Sequence, residues 1–293
     1  MPVEETYHSD GAEFPYAAWR AKEEKARVYF LHGMGSAPRE FAPLGEFLSA
    51  AGVSLFAPAL RGQGLDPEIR RRGSEVDVVR ILGDLEAFLD QTPAVCPLFV
   101  SGESLGALLA IAALADSPKL QARFRGAVLL CPVVELRQKT PAVIVELIRW
   151  LARVIPRASL HPGLFIHGKA RAPKLTANTE YQQALAKAPF RLPQVCLGFY
   201  AGMARLMEGC LRAGPRIPRP LLVLGGRNDP YISPDQLTSW FNSVSQPGCR
   251  LRFLPRSYHL LLRDPDCAEV MEEIYSFLSG NSSLGNGAFE ESR

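Results

Sequence analysis

The sequence predicts an α/β fold with a mostly parallel central sheet flanked by helices. Short apolar runs, each long enough for one strand, alternate with longer stretches of helical spacing along most of the 293 residues. Such alternation is typical of parallel strands joined by crossover helices that cover both faces of the sheet. Hydrophobic residues make up 47% of the chain, which is enough for one large core.

The individual elements follow from periodicity and from turn residues. Asp10-Gly11 is a turn signal between two strand-like arms and predicts an antiparallel hairpin at the sheet edge. The spacing of Val79, Leu82 and Leu85 predicts a helix over 76–89 with these residues facing inward. Further helices are expected at 41–51 and 268–278. The predicted parallel strands are 27–31, 53–57, 98–100, 127–130, 221–224 and 251–254.

The alternation breaks between about residues 133 and 211, where no clear strand is predicted. Helical patterns occur instead at 141–156, at 179–188 and from near residue 193 onward. We therefore expect residues 1–132 to form the first part of the core and 212–280 the second part. Residues 133–211 would form a helical cap or lid insertion, and the Gly-, Asn- and Ser-rich residues 281–293 a disordered tail.

Composition excludes some classes of partner and site. The net charge of +3 by itself argues neither for nor against nucleic acid. No nucleic-acid partner is expected, because the arginines are scattered apart from the run at 70–72. No signal peptide or membrane-spanning run is recognisable, and the six cysteines lack metal-site spacing. Free thiols suit a reducing compartment, so we expect a cytoplasmic protein. No bound metal is expected. The protein is expected to be a monomer or a homodimer.

The segment 102–106 reads Gly-Glu-Ser-Leu-Gly and stands between an apolar strand and a small-residue helix. This strand–turn–helix context holds a serine out as a nucleophile, here Ser104. The turn is tight, so the flanking residues must be small, as Gly102 and Gly106 are. By itself the pattern also arises by chance, and the remaining groups of a hydrolytic site must therefore be sought elsewhere.

A nucleophilic serine needs an oxyanion hole, and a glycine-rich turn follows the first long strand. Residues 32–35 read His-Gly-Met-Gly, which lets the backbone approach a substrate carbonyl. In enzymes of this topology one amide comes from this loop and the other from the residue after the nucleophile. The expected donors are therefore the backbone N–H groups of Met34 and Leu105, and Gly33 is expected to contact substrate.

The base and the acid are also expected at strand ends, since the loops of an open α/β sheet converge there. Asp229 follows strand 221–224, and His259 follows strand 251–254. Asp235, Asp264 and Asp266 are weaker candidates for the acid because each lies at a helix start or in a connection. The resulting order, Ser104, Asp229, His259, is that of nucleophile, acid and base in one large class of hydrolases, which needs no cofactor.

With these residues the chain resembles the α/β-hydrolase superfamily and, within it, the monoacylglycerol lipase and lysophospholipase-like branch. The resemblance covers roughly residues 5 to 280 and implies an α/β-hydrolase fold with a helical lid. Two of the matching segments differ in detail. The branch often has His and Met where this chain has Glu103 and Leu105, and it tends to have Gly-His-Gly where residues 61–64 read Arg-Gly-Gln-Gly. The matching segments are 10–11 with Trp19, 32–35, 61–64, 102–106, 226–229 and 258–259.

The lid sets the expectation for the substrate. Its helix at 141–156 is mostly apolar, and Ile144, Ile148 and Leu151 are expected to contact an acyl chain. We therefore predict hydrolysis of lipid esters with medium to long acyl chains. The same apolar face would also allow peripheral contact with a membrane. The alternative is that these residues simply pack on the core.

Three other functions remain open from the sequence. One is a carboxylesterase for small esters. Another is a proline-cleaving type of serine peptidase, which needs an acidic site for an amino terminus; Glu103, Glu135 and Glu146 could supply it. The third is a non-catalytic ligand-binding protein on a hydrolase scaffold, which can keep all three site residues.

Overall fold

The computed structural model describes residues 3–160, 173–192, 194–244 and 246–282. Within these ranges eight strands form the central sheet and two very short strands pair separately. The strands are β1 (Val3–Ser9), β2 (Ala12–Trp19), β3 (Ala26–Leu31), β4 (Val53–Pro58), β5 (Leu98–Glu103), β6 (Phe124–Leu130), β7 (Ser159–Leu160), β8 (Val195–Cys196), β9 (Leu221–Gly226) and β10 (Arg250–Leu254).

The central sheet has the order β1-β2-β4-β3-β5-β6-β9-β10. Strands β3 to β6, β9 and β10 run parallel, whereas β1 and β2 form an antiparallel hairpin at one edge. The hairpin turns at Asp10 and Gly11, which have positive φ angles of 49° and 72°. The predicted parallel sheet and edge hairpin are both confirmed.

Helices connect the strands and cover the sheet. They are α1 (Ala42–Ala50), α2 (Val78–Gln91), α3 (Leu105–Asp116), α4 (Pro118–Arg123), α5 (Ala142–Val154), α6 (Thr179–Ala186), α7 (Leu197–Leu211), α8 (Pro234–Phe241) and α9 (Cys267–Ser282). In α2 the prediction for Val79 was wrong. Its side chain is 82% exposed, because Ile81, Leu85 and Phe88 form the buried face of the helix.

The strand order places a switch point between β3 and β5. The chain leaves β3 toward β4 on one side, then crosses back to β5 on the other side. Because such crossovers are right-handed, α1 and α2 lie on opposite faces of the sheet. A crevice therefore opens at the carboxyl ends of β3 and β5, where ligands bind in open α/β sheets.

Between β6 and β9 the described residues contain the helices α5, α6 and α7, which confirms the predicted helical stretches, together with the β7–β8 pair. Helix α7 packs on α3, and the Cys210 thiol donates to the Leu108 carbonyl at 3.3 Å. This part of the predicted 133–211 insertion therefore lies against the core. Helix α9 continues to Ser282, so Asn281 and Ser282 are helical rather than disordered; 283–293 lie outside the described residues. None of the described helices is long and apolar enough to cross a membrane.

Candidate active site

Ser104 lies at the tight turn between β5 and α3. Its φ angle is +55°, a left-handed value that a non-glycine residue rarely adopts, and its N–H donates to the Leu130 carbonyl at 2.9 Å. Both flanking glycines are required by close backbone contacts. A Cβ at Gly102 would lie 2.2 Å from the Gly106 carbonyl carbon, and one at Gly106 would lie 1.8 Å from the Leu31 oxygen. The sequence therefore forces the strained turn that exposes a serine.

The glycine-rich turn after β3 lies beside Ser104. An added Cβ at Gly33 would meet the Ser104 Cβ at 3.5 Å. His32 is buried and its ring hydrogen-bonds the Gly33 carbonyl at 2.9 Å, while its Nε2 accepts from the Leu60 N–H at 3.2 Å. Burial lowers the pKa of His32 to about 4, so the imidazole is neutral near pH 7. Its hydrogen bonds stabilise the turn.

The segment 61–64 supports the same turn. The Gln63 side chain is buried, and its Oε1 accepts from the Gly35 N–H at 3.1 Å. A Cβ at Gly64 would lie 1.6 Å from the Phe190 carbonyl oxygen, so only glycine lets this loop meet the segment after α6. Arg61 forms a buried ion pair with Asp84 at 2.7 Å. Of these contacts, the Gln63 bond holds Gly35, the neighbour of Met34, whose N–H is predicted to donate to an oxyanion.

Leu105 is the first residue of α3, and its N–H is one of the amides that a helix leaves without an intrahelical acceptor. The side chain of Met34 is 36% exposed and faces the same cavity as Ser104. The two amides predicted to bind an oxyanion therefore come from adjacent turns at the ends of β3 and β5.

Asp229 and His259 form a buried hydrogen-bonded pair. Nδ1 of His259 lies 2.7 Å from Oδ2 of Asp229. The other carboxylate oxygen accepts from the N–H groups of Tyr231 at 2.7 Å and Ile232 at 3.1 Å. This arrangement fixes the imidazole orientation and leaves Nε2 as the nitrogen free to take a proton, as in a base oriented by an acid.

Electrostatics favour the charged form of this pair. Burial alone would raise the pKa of Asp229, but His259, the Tyr231 N–H and the Cys131 thiol outweigh it and lower the pKa below its usual range. Burial would lower the pKa of His259, yet the Asp229 carboxylate beside it raises the pKa above its ordinary value. The pair thus stabilises an imidazolium, which a general base becomes during the reaction.

Glu103 is a further buried acid beside the serine. It ends β5, is 5% exposed, and burial raises its pKa to about 7 against the opposing effect of His259 and Arg263. Its carboxylate lies under the glycine turn, 3.9 Å from where a Cβ of Gly33 would be. Sequence reasoning treated Glu103 only as a possible contact for an amine.

A cavity of about 1710 Å³ opens at this end of the sheet. Most of its lining is apolar and comes from the segment between β6 and β9. Of the predicted site residues, Asp229 is fully buried behind His259. The predicted residues that line the cavity are Ser104, His259, Gly33, Met34, Leu105 and Ile148.

Two residues of α5 that were predicted to contact substrate lie outside the cavity lining. Ile144 is 38% exposed and Leu151 is half-buried, and neither lines the cavity, whereas Ile148 and Val145 do. The helical period predicted an apolar helix. It did not predict which side faces inward, because α5 is apolar around most of its circumference and its rotation is set by packing on α7.

Several cavity residues were not found from the sequence. Tyr181 of α6 donates to the Glu40 carboxylate, and the Arg263 guanidinium lies 4.5 Å above the Tyr181 ring. These three residues come from distant parts of the chain, so no local spacing in the sequence predicts that they meet. Cys131 was also missed, although it directly follows β6, and the strand-end reasoning that found Asp229 would have found it.

Among the described residues, Cys131, Asp229 and His259 are the one group of side chains with metal-binding atoms mutually within 4.8 Å. The donor types suit a soft or borderline metal such as zinc. However, the Asp229 carboxylate and Nδ1 of His259 are already hydrogen-bonded to each other. We therefore interpret the group as a hydrogen-bonded cluster of the candidate active site.

Solved structures of lipases share this fold. The monoacylglycerol lipase of Paleococcus ferrophilus superimposes with a TM-score of 0.79 at 24% identity, covering 92% of this chain and 99% of that one. A soluble variant of the monoglyceride lipase of Saccharomyces cerevisiae gives a TM-score of 0.80 at 20% identity, covering 96% and 97%. These similarities support the α/β-hydrolase fold that the resemblance implied.

Sequence comparison gives the family. The monoglyceride lipase of Rattus norvegicus is 24% identical over 291 residues, which cover 95% of this chain and 92% of the rat protein. The family model described as serine aminopeptidase, S33, matches residues 22–266, a range that includes Ser104, Asp229 and His259. The chain therefore belongs to the serine aminopeptidase S33 family of α/β-hydrolases.

Proposed function

We propose that this protein is a serine hydrolase that cleaves the ester bond of monoacylglycerols and related lipid esters. Its membership of a hydrolase family and its similarity to monoglyceride lipases support ester hydrolysis. The observation that carries the proposal is the strained Ser104 turn, which opens on the same cavity as His259. A buried acid, Asp229, orients that histidine.

The proposed reaction has two stages. His259 takes the proton from the Ser104 hydroxyl as its oxygen attacks the ester carbonyl, and the alcohol leaves with that proton. The amides of Met34 and Leu105 stabilise the oxyanion; losing one such donor typically lowers the rate ~100- to 1000-fold. Water, activated by His259, then hydrolyses the acyl-enzyme and releases the fatty acid.

The acyl chain is proposed to lie in the apolar part of the cavity. Ile148 on α5 and Phe199 on α7 both line the cavity and are almost fully buried. An apolar chain bound there would leave water at a gain of about 0.8 kcal/mol for each buried CH₂ group. The size and lining of this space favour medium to long acyl chains over acetyl esters.

The segment 133–211 is proposed to act as a lid over this cavity, with contact to a lipid surface through the outer side of α5. That side exposes Val143 (75%), Leu147 (53%), Trp150 (57%) and Val154 (62%). Exposed apolar residues at this helical spacing form a continuous strip, which is typical of a helix that lies in a membrane interface. Substrate could then enter from the lipid phase.

A peptidase activity is the second candidate because the family description names an aminopeptidase. Glu103 and Glu135 both line the cavity, as an acidic site for an amino terminus requires. However, Glu135 pairs with Lys139 at 2.6 Å, and the raised pKa of Glu103, about 7, keeps much of it neutral. Both features weaken the attraction for an amine and favour ester substrates.

Labelling with a fluorophosphonate probe tests the proposed nucleophile. Wild-type protein should be labelled, and Ser104→Ala should lose both labelling and turnover. Ser101→Ala is the matched control, because Ser101 lies on the same strand but its hydroxyl is buried and donates to the Val128 carbonyl at 3.0 Å. Equal labelling of Ser104→Ala, or no labelling of wild type, would contradict the mechanism.

A substrate panel then separates the two candidate activities. Monoacylglycerols, lysophospholipids, short p-nitrophenyl esters and aminoacyl-β-naphthylamides should be compared at the same enzyme concentration. We expect the highest kcat/KM for monoacylglycerols and the lowest for the amides. A preference for an amide with a free amino terminus would instead support the peptidase.

A further inference from the structure

We propose that Cys131 is a positioning residue whose thiol donates a hydrogen bond to the Asp229 carboxylate and so fixes the acid that orients His259. This inference rests on the proposed function, because it assigns Cys131 a role in the acid–base pair of that mechanism. It adds a fourth side chain to the site and explains why a cysteine, rather than any small residue, follows β6.

The position of Cys131 in the sheet brings it to this pair. Strand β6 lies between β5, which ends beside Ser104, and β9, which precedes Asp229. Cys131 is the first residue after β6 and is fully buried. Its Sγ, a carboxylate oxygen of Asp229 and a ring nitrogen of His259 all lie within 4.8 Å of one another.

The Asp229 carboxylate has room for another donor. Oδ1 accepts from two backbone amides and Oδ2 from His259, whereas an ionised carboxylate offers about four acceptor sites. Sγ of Cys131 lies within 4.8 Å of one of these carboxylate oxygens. The competing acceptor is the Tyr258 carbonyl, 3.8 Å from the thiol. Because one acceptor is charged and the other neutral, the single thiol proton is better directed to Asp229.

The thiol remains a donor at working pH. Burial, reinforced by the negative charge of Asp229, raises the pKa of the Cys131 thiol well above its usual range. The group therefore stays protonated and can only share its hydrogen with an acceptor. In return, a donor at the carboxylate favours the ionised form of Asp229.

The backbone conformation at Cys131 is one that favours glycine, which indicates that the cysteine side chain itself has a role. Its φ angle is +45°, a left-handed value that glycine would adopt without strain. The conformation is held by the Cys131 N–H, which donates to the Leu224 carbonyl at 2.8 Å. Since glycine would suit this backbone better, the thiol rather than the turn accounts for a cysteine at this position.

Loss of the thiol should change the titration of His259. The charged and titratable groups around this histidine come from the ends of three elements: Asp229 and Tyr231 after β9, Glu103 at the end of β5, and Asp264 before α9. The Tyr231 ring centroid lies 4.9 Å from the imidazole. Without the Cys131 donor, the Asp229 carboxylate shares its charge with fewer partners and stabilises the imidazolium more strongly. The pKa of His259 should therefore rise.

The test uses Cys131→Ala, Cys131→Ser and Cys131→Gly, with Cys210→Ala as the control for loss of a buried thiol elsewhere. Cys210 is buried, and its thiol donates to the Leu108 carbonyl. Two quantities are measured in the full-length protein: kcat/KM against pH for a soluble ester, and the low-field proton resonance of the His259 Nδ1–H. The second needs no substrate.

We expect Cys131→Ala and Cys131→Gly to move the acid limb of kcat/KM upward by about half a pH unit. Both should also lower kcat about three- to tenfold with little change in KM, and both should shift the low-field resonance. Cys131→Ser keeps a donor and should retain the wild-type pH profile. Cys210→Ala should lower thermal stability without moving the profile.

The outcomes separate this inference from the proposed function. If wild type fails to react with fluorophosphonate, the serine mechanism fails and this inference fails with it. If wild type reacts but Cys131→Ala and Cys131→Gly keep its pH profile and resonance, only the role of Cys131 is overturned. A Cys131→Ser variant that behaves like Cys131→Ala also overturns it. If Cys131→Ala does not fold, Cys131→Gly decides, because glycine suits the backbone.

Discussion

The backbone N–H of His259 donates to the carbonyl oxygen of Leu175 at 2.9 Å, and the N–H of Leu260 donates to the same oxygen at 2.9 Å. A residue of the segment between β6 and β9 thus holds the loop that carries the candidate base. The position of the imidazole depends on this segment as well as on Asp229. Changes within this segment should therefore affect the chemical step in addition to substrate access.

Replacing Gln182 tests this dependence. Its side chain accepts from the Leu175 N–H at 3.0 Å and donates to the Pro173 carbonyl at 3.2 Å. Gln182→Leu removes both bonds and should loosen Leu175, so kcat for a soluble ester should fall roughly three- to tenfold. Gln183→Leu, at the next and more exposed position of the same helix, is the control. Equal kcat values for the two variants would contradict the dependence.

Glu103 should make the stability of the protein depend on pH. Burial raises its pKa from 4.5 to about 7. Between these values the carboxyl ionises in the unfolded chain but stays neutral in the folded one, so the free energy of unfolding falls as pH rises. Above about pH 7 the loss is nearly complete and amounts to roughly 3 kcal/mol.

The variant Glu103→Gln, which cannot ionise, isolates this effect. Its free energy of unfolding minus that of wild type should grow from pH 4 to pH 8 by the same amount, roughly 3 kcal/mol. Denaturant unfolding at several pH values measures the difference. If the free energies of unfolding of wild type and variant differ by a constant amount from pH 4 to pH 8, the Glu103 pKa is not raised.

Ile148 and Ile144 provide a matched pair for chain-length selectivity. Ile148 lines the cavity, whereas Ile144, one turn earlier on α5, does not. Ile148→Trp should fill the acyl space and lower kcat/KM for a decanoyl p-nitrophenyl ester roughly tenfold or more, with a smaller effect on the butanoyl ester. Ile144→Trp should leave the ratio of the two esters unchanged. A proportional loss for both esters in Ile148→Trp would count against an acyl site there.

Trp150 can report contact between α5 and a lipid surface. The protein has three tryptophans, and Trp19 and Trp240 are each only 3% exposed, compared with 57% for Trp150. Phosphatidylcholine vesicles should therefore shift the fluorescence of Trp150 to shorter wavelength. The double change Val143→Ser and Leu147→Ser should weaken vesicle binding at least about tenfold, because each apolar side chain contributes about 1.5–3 kcal/mol when fully buried.

Arg153→Ser, on the polar side of the same helix, is the control for this experiment. It should bind neutral vesicles as wild type does. Turnover of a soluble short ester should be similar in all of these variants, since the outer side of α5 does not line the cavity. Wild-type protein that neither sediments with vesicles nor changes its fluorescence would exclude this contact.

Much of the fold could be predicted because its signals are local. The alternation of apolar runs and helical spacing predicted the parallel sheet, and Asp10-Gly11 predicted the edge hairpin. The 102–106 motif predicted a turn that tolerates only glycine at both flanks, since the backbone of α3 packs directly on β3 and β5. Strand ends also led to Asp229 and His259, which the structure brings to 2.7 Å.

Sequence alone predicted the parallel strands, the edge hairpin and most of the helices, together with the order of the three site residues and the glycines of the tight turns. Only the folded chain shows the rotation of α5, which turns Ile148 inward and Ile144 outward, and the approach of Leu175 and Cys131 to Asp229 and His259. The reason is physical. Turn geometry and hydrophobic period act over a few neighbouring residues. The direction in which a helix with only a narrow polar side faces, and the approach of distant loops, depend instead on packing between segments far apart in the chain.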